Sequence, residues 1–220
     1  MFLYRNQLSI LPPEIGQLTN LTRLILATNQ LSMLPPEIGQ LTNLTELSSN
    51  GNQFTSLPPE IGQLTNLTAL SLSGNELSEL PPEIGQLSNL TELDLAENQL
   101  SELPSEIGQL TSLELLRLSF NELSSLPTEI NKLFNLKELA LSNNNLSEFN
   151  NVPFMPSGGI INILDCSTQT NLEQLYLTGN PDLKTLNQCI CDLDLDNGGT
   201  VDIDVVPDGV TCVGNDVIGN

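Results

Sequence analysis

The sequence predicts an α/β solenoid, in which short coils of chain stack on one another instead of packing into a globule. Three observations support this. Leucines recur in a fixed order, as in L-T-E-L-D-L-A-E-N-Q-L-S-E-L from Leu90 to Leu103, and the phrase L-P-P-E-I-G-Q-L follows in several repeats. A fixed period in the twenties is typical of solenoids. Asparagine returns every 23 residues, at Asn6, Asn29, Asn52, Asn75, Asn98, Asn121 and Asn144.

The first half of each repeat predicts a short β-strand. In Leu90-x-x-Leu93-x-Leu95 the leucines point inward and the residues between them point outward, which is the period of a strand. Each coil therefore adds one strand to a parallel sheet, with neighbouring strands about 4.8 Å apart. The asparagine lies where the chain turns out of the strand, and its amide can both donate to and accept from backbone groups. Stacked asparagines are expected to form a buried structural ladder.

The second half of each repeat predicts a short helix or 3₁₀ turn on the outer side. Proline at the start and glutamate in the first turn of L-P-P-E-I-G-Q-L, at 34–41, 57–64 and 80–87, suit such a turn. The following glycine is interpreted as permitting the reversal toward the next strand.

These residues resemble the leucine-rich repeat family, in its 23-residue typical type. The resemblance covers Leu3 to Asn144 and resumes from Leu172 to Asn180. It implies a curved horseshoe with a concave parallel sheet, and a role in protein interaction. The sequence departs from the pattern at Ser49 and Phe54, which replace leucines, and at Asn131, which replaces the turn glycine. Ser49 suggests a locally weaker strand.

Outward strand positions usually form the binding face of this family. In this chain they are small and hydroxylic in the N-terminal half, and larger and more varied toward the C-terminus. Binding hot spots favour Tyr, Trp and Arg. We therefore expect a protein or glycan ligand to bind on a concave face that includes Arg117, Phe120, Tyr176, Glu92, Asp94 and Lys137.

A column of threonines suggests an alternative, because Thr22, Thr45, Thr68 and Thr91 also recur every 23 residues. Regularly spaced hydroxyls resemble the surfaces of ice-binding solenoids, although duplication of one ancestral repeat explains the column equally well. The same segment contains four N-L-T acceptor sequences for glycosylation, at Asn20, Asn43, Asn66 and Asn89, whose number follows from the repeat.

The C-terminal third is irregular. Asn144 and Asn180 are 36 residues apart, so an insertion is placed near 147–170, as a binding loop or a spacer. We assign residues 1–186 to a solenoid of about eight coils and 187–220 to a C-terminal cap.

Cys189-x-Cys191 and Cys212 resemble the cysteine-rich cap of extracellular leucine-rich repeat proteins, with Cys166 as the fourth cysteine. Disulfides are favoured over free thiols and zinc.

A second pattern in the cap alternates aspartate with apolar residues from Asp192 to Val205. It lacks the glycine and glutamate positions that an EF-hand requires. A capping hairpin around the D-N-G-G turn is therefore favoured over calcium binding.

Composition and missing sequence motifs disfavour several classes of function. The net charge of −21, from 27 acidic and 6 basic residues, disfavours nucleic acid and anionic membranes as partners. Histidine is absent, and neither a phosphate-binding loop nor a nucleophile elbow is present. We expect no enzymatic activity, cofactor, metal or membrane insertion.

Three functions follow from these observations. The first is a binding module, extracellular or at the cell surface; the alternatives are an ice-binding protein and a structural scaffold. The chain opens inside a repeat, so we also expect Met1 to be a truncated start.

Overall fold

The fold is described by a computed structural model that covers residues 1–146 and 174–180, and the backbone of strands at 185–187, 202–204 and 211–213. One curved sheet of parallel strands runs through the described coils in the order β1-β2-β3-β4-β5-β6-β7-β9. A second pairing joins β8 to β10, also parallel. The strands are β1 Arg23–Ile25, β2 Glu46–Ser48, β3 Ala69–Ser71, β4 Glu92–Asp94, β5 Leu115–Arg117, β6 Glu138–Ala140, β7 Gln174–Tyr176, β8 Thr185–Asn187, β9 Asp202–Asp204 and β10 Thr211–Val213.

In the described part of the chain, six 3₁₀ turns, numbered η1 to η6 in chain order, lie on the opposite side from the sheet. Proline is the first residue of η1 to η4, and its fixed φ suits that position. Each turn places one isoleucine in the core, such as Ile84, which is fully buried. The turns are η1 Pro13–Gln17, η2 Pro36–Gln40, η3 Pro59–Gln63, η4 Pro82–Gln86, η5 Ser105–Gln109 and η6 Thr128–Lys132.

The core consists of columns of leucine that run the length of the stack. The register pairs each inward leucine with its counterpart in the next strand, so that Leu70 faces Leu93 and Leu93 faces Leu116. These side chains are almost completely buried. Burying one leucine contributes about 1.5–3 kcal/mol, so the repeated column is the main source of stability.

The predicted asparagine ladder is present from Asn29 onward, whereas Asn6 is exposed and donates to the nearby Leu3 and Tyr4 carbonyls. The Asn98 side chain accepts a hydrogen bond from the Leu77 N–H at 3.1 Å and donates to the carbonyls of Leu72 at 3.1 Å and Leu95 at 3.0 Å. One amide therefore connects two successive coils. The same three-bond pattern recurs at Asn29, Asn52, Asn75, Asn121, Asn144 and Asn180.

The turn glycines have a different role from the one inferred from the sequence. Positive φ angles occur at Gly51, Gly74 and Gly179, but not at the glycines of the 3₁₀ turns. A β-carbon on Gly85 would lie 2.6 Å from the backbone oxygen of Glu106 in the next coil. Glycine is therefore needed for close approach of coils and not for reversing the chain.

Ser49 and Phe54 depart from the leucine columns within one coil. Both side chains are fully buried, and Ser49 Oγ has no hydrogen-bond partner among the described residues. Strand β2 nevertheless has the same length and register as its neighbours, so the departure does not shorten the strand.

Restoring both leucines in this coil is expected to stabilise the protein. The double variant Ser49→Leu/Phe54→Leu removes a buried hydroxyl that lacks a partner, and should raise the free energy of unfolding by about 1–2 kcal/mol. Urea denaturation of the double variant and of both single variants tests this. The Ser49→Leu variant should gain less, because Phe54 occupies extra volume in the same coil. A double variant less stable than the wild type would contradict the prediction.

Several sequence predictions concern residues outside the described part of the chain. They include the insertion near 147–170, Cys166, Cys189 and Cys191, and the first arm of the capping hairpin. For Cys212 only the backbone is described, as the central residue of β10. The second arm forms β9, where Ile203 is in register with Leu175 of β7. The disulfides, the cap and its hairpin stay predictions.

Candidate functional site

The candidate site lies on the solvent-facing side of the sheet, over strands β4 to β7. We call it the concave site and define it as Glu92, Asp94, Glu114, Arg117, Lys137, Glu138 and Tyr176. In β1 to β3 the corresponding outward positions include Ser48, Ala69 and Ser71, which are short and uncharged, and one ion pair, between Arg23 and Glu46. The concave site differs from β1 to β3 in its density of functional groups, because it has two ion pairs, two further carboxylates and a tyrosine on adjacent coils.

Two ion pairs join the coil of β5 to the coil of β6. Arg117 Nε lies 2.9 Å from Glu138 Oε1, and Lys137 Nζ lies 2.7 Å from Glu114 Oε2. The Arg117–Glu138 pair is diagonal, because the residue directly opposite Arg117 is Ala140. Exposed pairs of this kind contribute at most about 1 kcal/mol to stability. Their main effect is to hold long side chains in defined positions on the surface.

Arg117 is the electrostatic centre of the concave site. Partial burial lowers the pKa of its guanidinium, but the hydrogen bond and charge of Glu138, with the charges of Asp94 and Glu92, more than offset this. The net effect raises the pKa above its ordinary value. Arg117 therefore stays charged, and three carboxylates from two neighbouring strands act on it.

A shallow depression of about 220 Å³ lies beside these ion pairs. Its floor and walls mix polar and apolar atoms from four consecutive strands. Pockets that enclose small ligands usually measure about 300–1,000 Å³. The depression is therefore better suited to one side chain of a larger partner. It is lined by Thr91, Glu92, Glu114, Leu115, Lys137, Glu138 and Gln174.

The structure brings most of the predicted site residues together. Asp94, Arg117, Ala140 and Tyr176 form one row across four strands, with the small Ala140 between the two larger side chains. Glu92 and Lys137 lie in the depression. Phe120 does not join that row, since it follows the end of β5 at the rim of the sheet, where it is 55% exposed.

Sequence reasoning did not single out Glu114 and Glu138, although both are outward strand positions. Each forms an ion pair with a basic residue that the sequence did single out, Glu114 with Lys137 and Glu138 with Arg117. A search of the sequence for opposite charges one 23-residue repeat apart would have found Glu114 and Lys137. The diagonal pair of Arg117 and Glu138, 21 residues apart, has no such signal.

The threonine column is present, but its hydroxyls are used within the sheet. Thr45 Oγ1 donates to the Thr22 carbonyl, Thr68 Oγ1 to the Thr45 carbonyl, and Thr91 Oγ1 to the Thr68 carbonyl, each at 3.0 Å. These bonds explain why threonine recurs without invoking a ligand. The structure therefore gives no support to the ice-binding alternative.

The asparagines of the N-L-T sequences also have a structural role. The side-chain nitrogens of Asn43, Asn66 and Asn89 donate to backbone carbonyls of the preceding coil at 2.8–2.9 Å. They form a second, solvent-exposed ladder beside the buried one. Their recurrence therefore has a cause independent of glycosylation.

Within the described part of the chain, no helix has the length and apolar character needed to cross a membrane. Among the same residues, no group of three or more His, Cys, Asp or Glu side chains is placed to hold a metal ion. The side chains of the concave site can form hydrogen bonds, ion pairs and apolar contacts.

Comparison with known proteins identifies what the chain is similar to. A family model described as a leucine-rich repeat region matches residues 61–153. No curated protein matches the sequence significantly. Among solved structures, a leucine-rich repeat protein of Leptospira interrogans is similar, with a TM-score of 0.63 and 36% identity over 84% of this chain and 53% of that one.

Two further structures show the range of similar proteins. One is the ectodomain of the Arabidopsis thaliana membrane receptor kinase GASSHO1/SCHENGEN3 in complex with CASPARIAN STRIP INTEGRITY FACTOR 2, with a TM-score of 0.61, 32% identity, and coverage of 83% and 27%. The other is the leucine-rich repeat domain of the type III effector XopL, with a TM-score of 0.62, 28% identity, and coverage of 75% and 54%. The chain thus spans about half or less of each of these structures.

Proposed function

The chain belongs to the leucine-rich repeat family, and from this premise we propose that it is a non-enzymatic binding module, acting outside the cell or at its surface, that recognises a protein or glycan through the concave site. One observation carries the proposal. The stacking of coils requires inward leucines and asparagines, but it places no demand on the outward positions of β4 to β7. Those positions nevertheless carry paired charges and a tyrosine.

Similar proteins support a binding role. The plant receptor ectodomain is described in complex with CASPARIAN STRIP INTEGRITY FACTOR 2, and its leucine-rich repeats resemble this chain over 83% of its length. Leucine-rich repeats also occur in a type III effector, so the fold is not confined to receptors. The proposed extracellular location rests on the receptor likeness together with the cysteine-containing cap expected from the sequence.

Replacing Arg117 should weaken ligand binding at the concave site. Ligands would be selected on the immobilised full chain from a random-peptide phage library and from a glycan array. Arg117→Ala removes the central guanidinium and releases Glu138, and should reduce affinity for the selected ligands at least about tenfold. Surface plasmon resonance with purified ligands measures the change.

A matched control is available on the opposite side of the molecule. Lys132 is exposed in η6, and Lys132→Ala removes one positive charge, as Arg117→Ala does. Affinity should stay within about twofold of the wild type in this variant, within the range expected at a surface site away from the interface. If both variants bind as the wild type does, the ligand does not use the concave site and the proposal fails.

A further inference from the structure

Phe120 lies at a backbone position that disfavours it. The residue before each ladder asparagine has a positive φ in every described coil, and φ of Phe120 is 58°. A left-handed conformation is costly for bulky side chains and suits glycine or asparagine. Glycine or asparagine occupies this column at Gly51, Gly74, Asn143 and Gly179, whereas Arg5, Thr28, Glu97 and Phe120 adopt the same conformation with other side chains, of which only that of Phe120 is aromatic.

Core packing does not explain the phenylalanine either. Its side chain is 55% exposed, among the large exposed apolar side chains of the described chain. Its backbone N–H donates to the Ser142 carbonyl, and its carbonyl accepts from the Asn98 N–H, which any residue could do. Phe120 thus combines a strained backbone conformation with an exposed aromatic side chain at the rim of the sheet.

Charge on the neighbouring strand is unbalanced. Arg117 pairs with Glu138 and Lys137 pairs with Glu114, whereas Glu92 makes no ion pair with any described residue. Asp94 accepts a hydrogen bond from the Ala96 N–H, and the charges of Asp94 and Glu92 both raise the pKa of Arg117, which is already paired with Glu138. The two carboxylates of β4 therefore leave the concave site with excess negative charge, in a chain whose net charge is −21. A complementary partner supplies positive charge.

From these features we infer that the concave site, together with Phe120 at its rim, binds an extended, basic segment of a protein partner. An apolar side chain of the segment rests on Phe120, while a Lys or Arg side chain pairs with Glu92. Glu92 belongs to β4 and Phe120 lies three residues beyond the end of β5, so the segment runs across neighbouring coils. This inference rests on the proposed function and specifies the partner of the same site. Aromatic anchors beside satisfied charge pairs are typical of binding hot spots.

The test uses peptides selected on the full-length chain from the random-peptide phage library and then synthesised with a fluorescent label. The selected peptides should carry net positive charge and at least one large apolar residue. Fluorescence anisotropy should show affinity at least about tenfold lower for Phe120→Asn and for Glu92→Gln than for the wild type. Affinity should also fall as salt is raised, because exposed charge attraction is screened.

Two control variants isolate the effect. Thr28→Asn changes another left-handed residue of the same column, far from the site, and Glu102→Gln removes one exposed carboxylate on another surface. Both should bind the peptides as the wild type does. Because asparagine is the natural residue of this column at Asn143, the melting temperature of Phe120→Asn should be no more than about 2–4 °C below that of the wild type.

The outcomes separate this inference from the proposed function. If Arg117→Ala weakens binding but Phe120→Asn and Glu92→Gln do not, the concave site binds and the basic-segment inference is wrong. If none of the three variants changes binding, both proposals fail. Selection of acidic or uncharged peptides, selection of no peptide, or a melting temperature of Phe120→Asn that falls by many degrees would each overturn the inference.

Discussion

Replacing Asn98 by alanine is expected to lower the free energy of unfolding by about 3–5 kcal/mol. The change leaves the Leu77 N–H without its side-chain partner in the middle of the stack. It also removes one of two amide donors from each of the Leu72 and Leu95 carbonyls, which still accept from Asn75 and Asn121, and each lost bond contributes about 0.5–1.5 kcal/mol. Each buried polar group left without a hydrogen bond costs about 1–3 kcal/mol. Whole domains are stable by only about 5–15 kcal/mol, so this single amide accounts for a large share. Urea denaturation followed by circular dichroism measures the loss.

Asn89 supplies the matched control for this experiment. It is an asparagine of the exposed ladder and makes one side-chain hydrogen bond, to the Thr65 carbonyl at 2.8 Å. Water can replace that bond, so Asn89→Ala should cost about 1 kcal/mol or less. An equal loss in the two variants would show that burial of the ladder does not determine its contribution.

Replacing Gly85 by alanine is expected to cost about 3 kcal/mol, at the upper end of the usual range for overpacking. The added β-carbon would lie 2.6 Å from the Glu106 backbone oxygen and 2.9 Å from the Glu106 β-carbon. The closest clashing atom is a backbone oxygen of the next coil, which cannot be relieved by a change of side-chain rotamer. The measurement is the shift of the urea midpoint at constant slope.

The position of the obstacle provides a sharp control for Gly85→Ala. Adding Glu106→Ala should not restore stability, because alanine keeps both atoms that meet the new methyl group. Ser105→Ala alters an exposed residue of the same turn and should change stability by no more than about 0.5 kcal/mol. Rescue by Glu106→Ala would mean that the glutamate side chain, and not close coil packing, selects for glycine.

Both stability predictions concern contacts between coils, and this is characteristic of a solenoid. Each coil buries its apolar side chains only against its neighbours, so one lost contact is felt by two coils. The residues of the concave site differ from those of the core because their side chains point away from neighbouring coils. Stacking aligns these side chains in rows but does not require any particular residue type.

The sequence alone predicted the solenoid, the parallel strands, the 3₁₀ turns and the asparagine ladder. These follow from periodicity, because a residue that recurs every 23 positions must occupy the same environment in every coil. It also predicted that Arg117, Asp94 and Tyr176 share one face, since alternation along a strand assigns each side chain to a side of the sheet.

Only the tertiary structure decided how neighbouring coils meet. The glycine of each turn is selected by a backbone carbonyl in the following coil, and the threonine hydroxyls point along the sheet into the preceding one. The diagonal pairing of Arg117 with Glu138, and the left-handed backbone of Phe120, likewise depend on three-dimensional register. The physical reason is that a period specifies which residues are equivalent, whereas distances between coils determine which atoms of those residues touch.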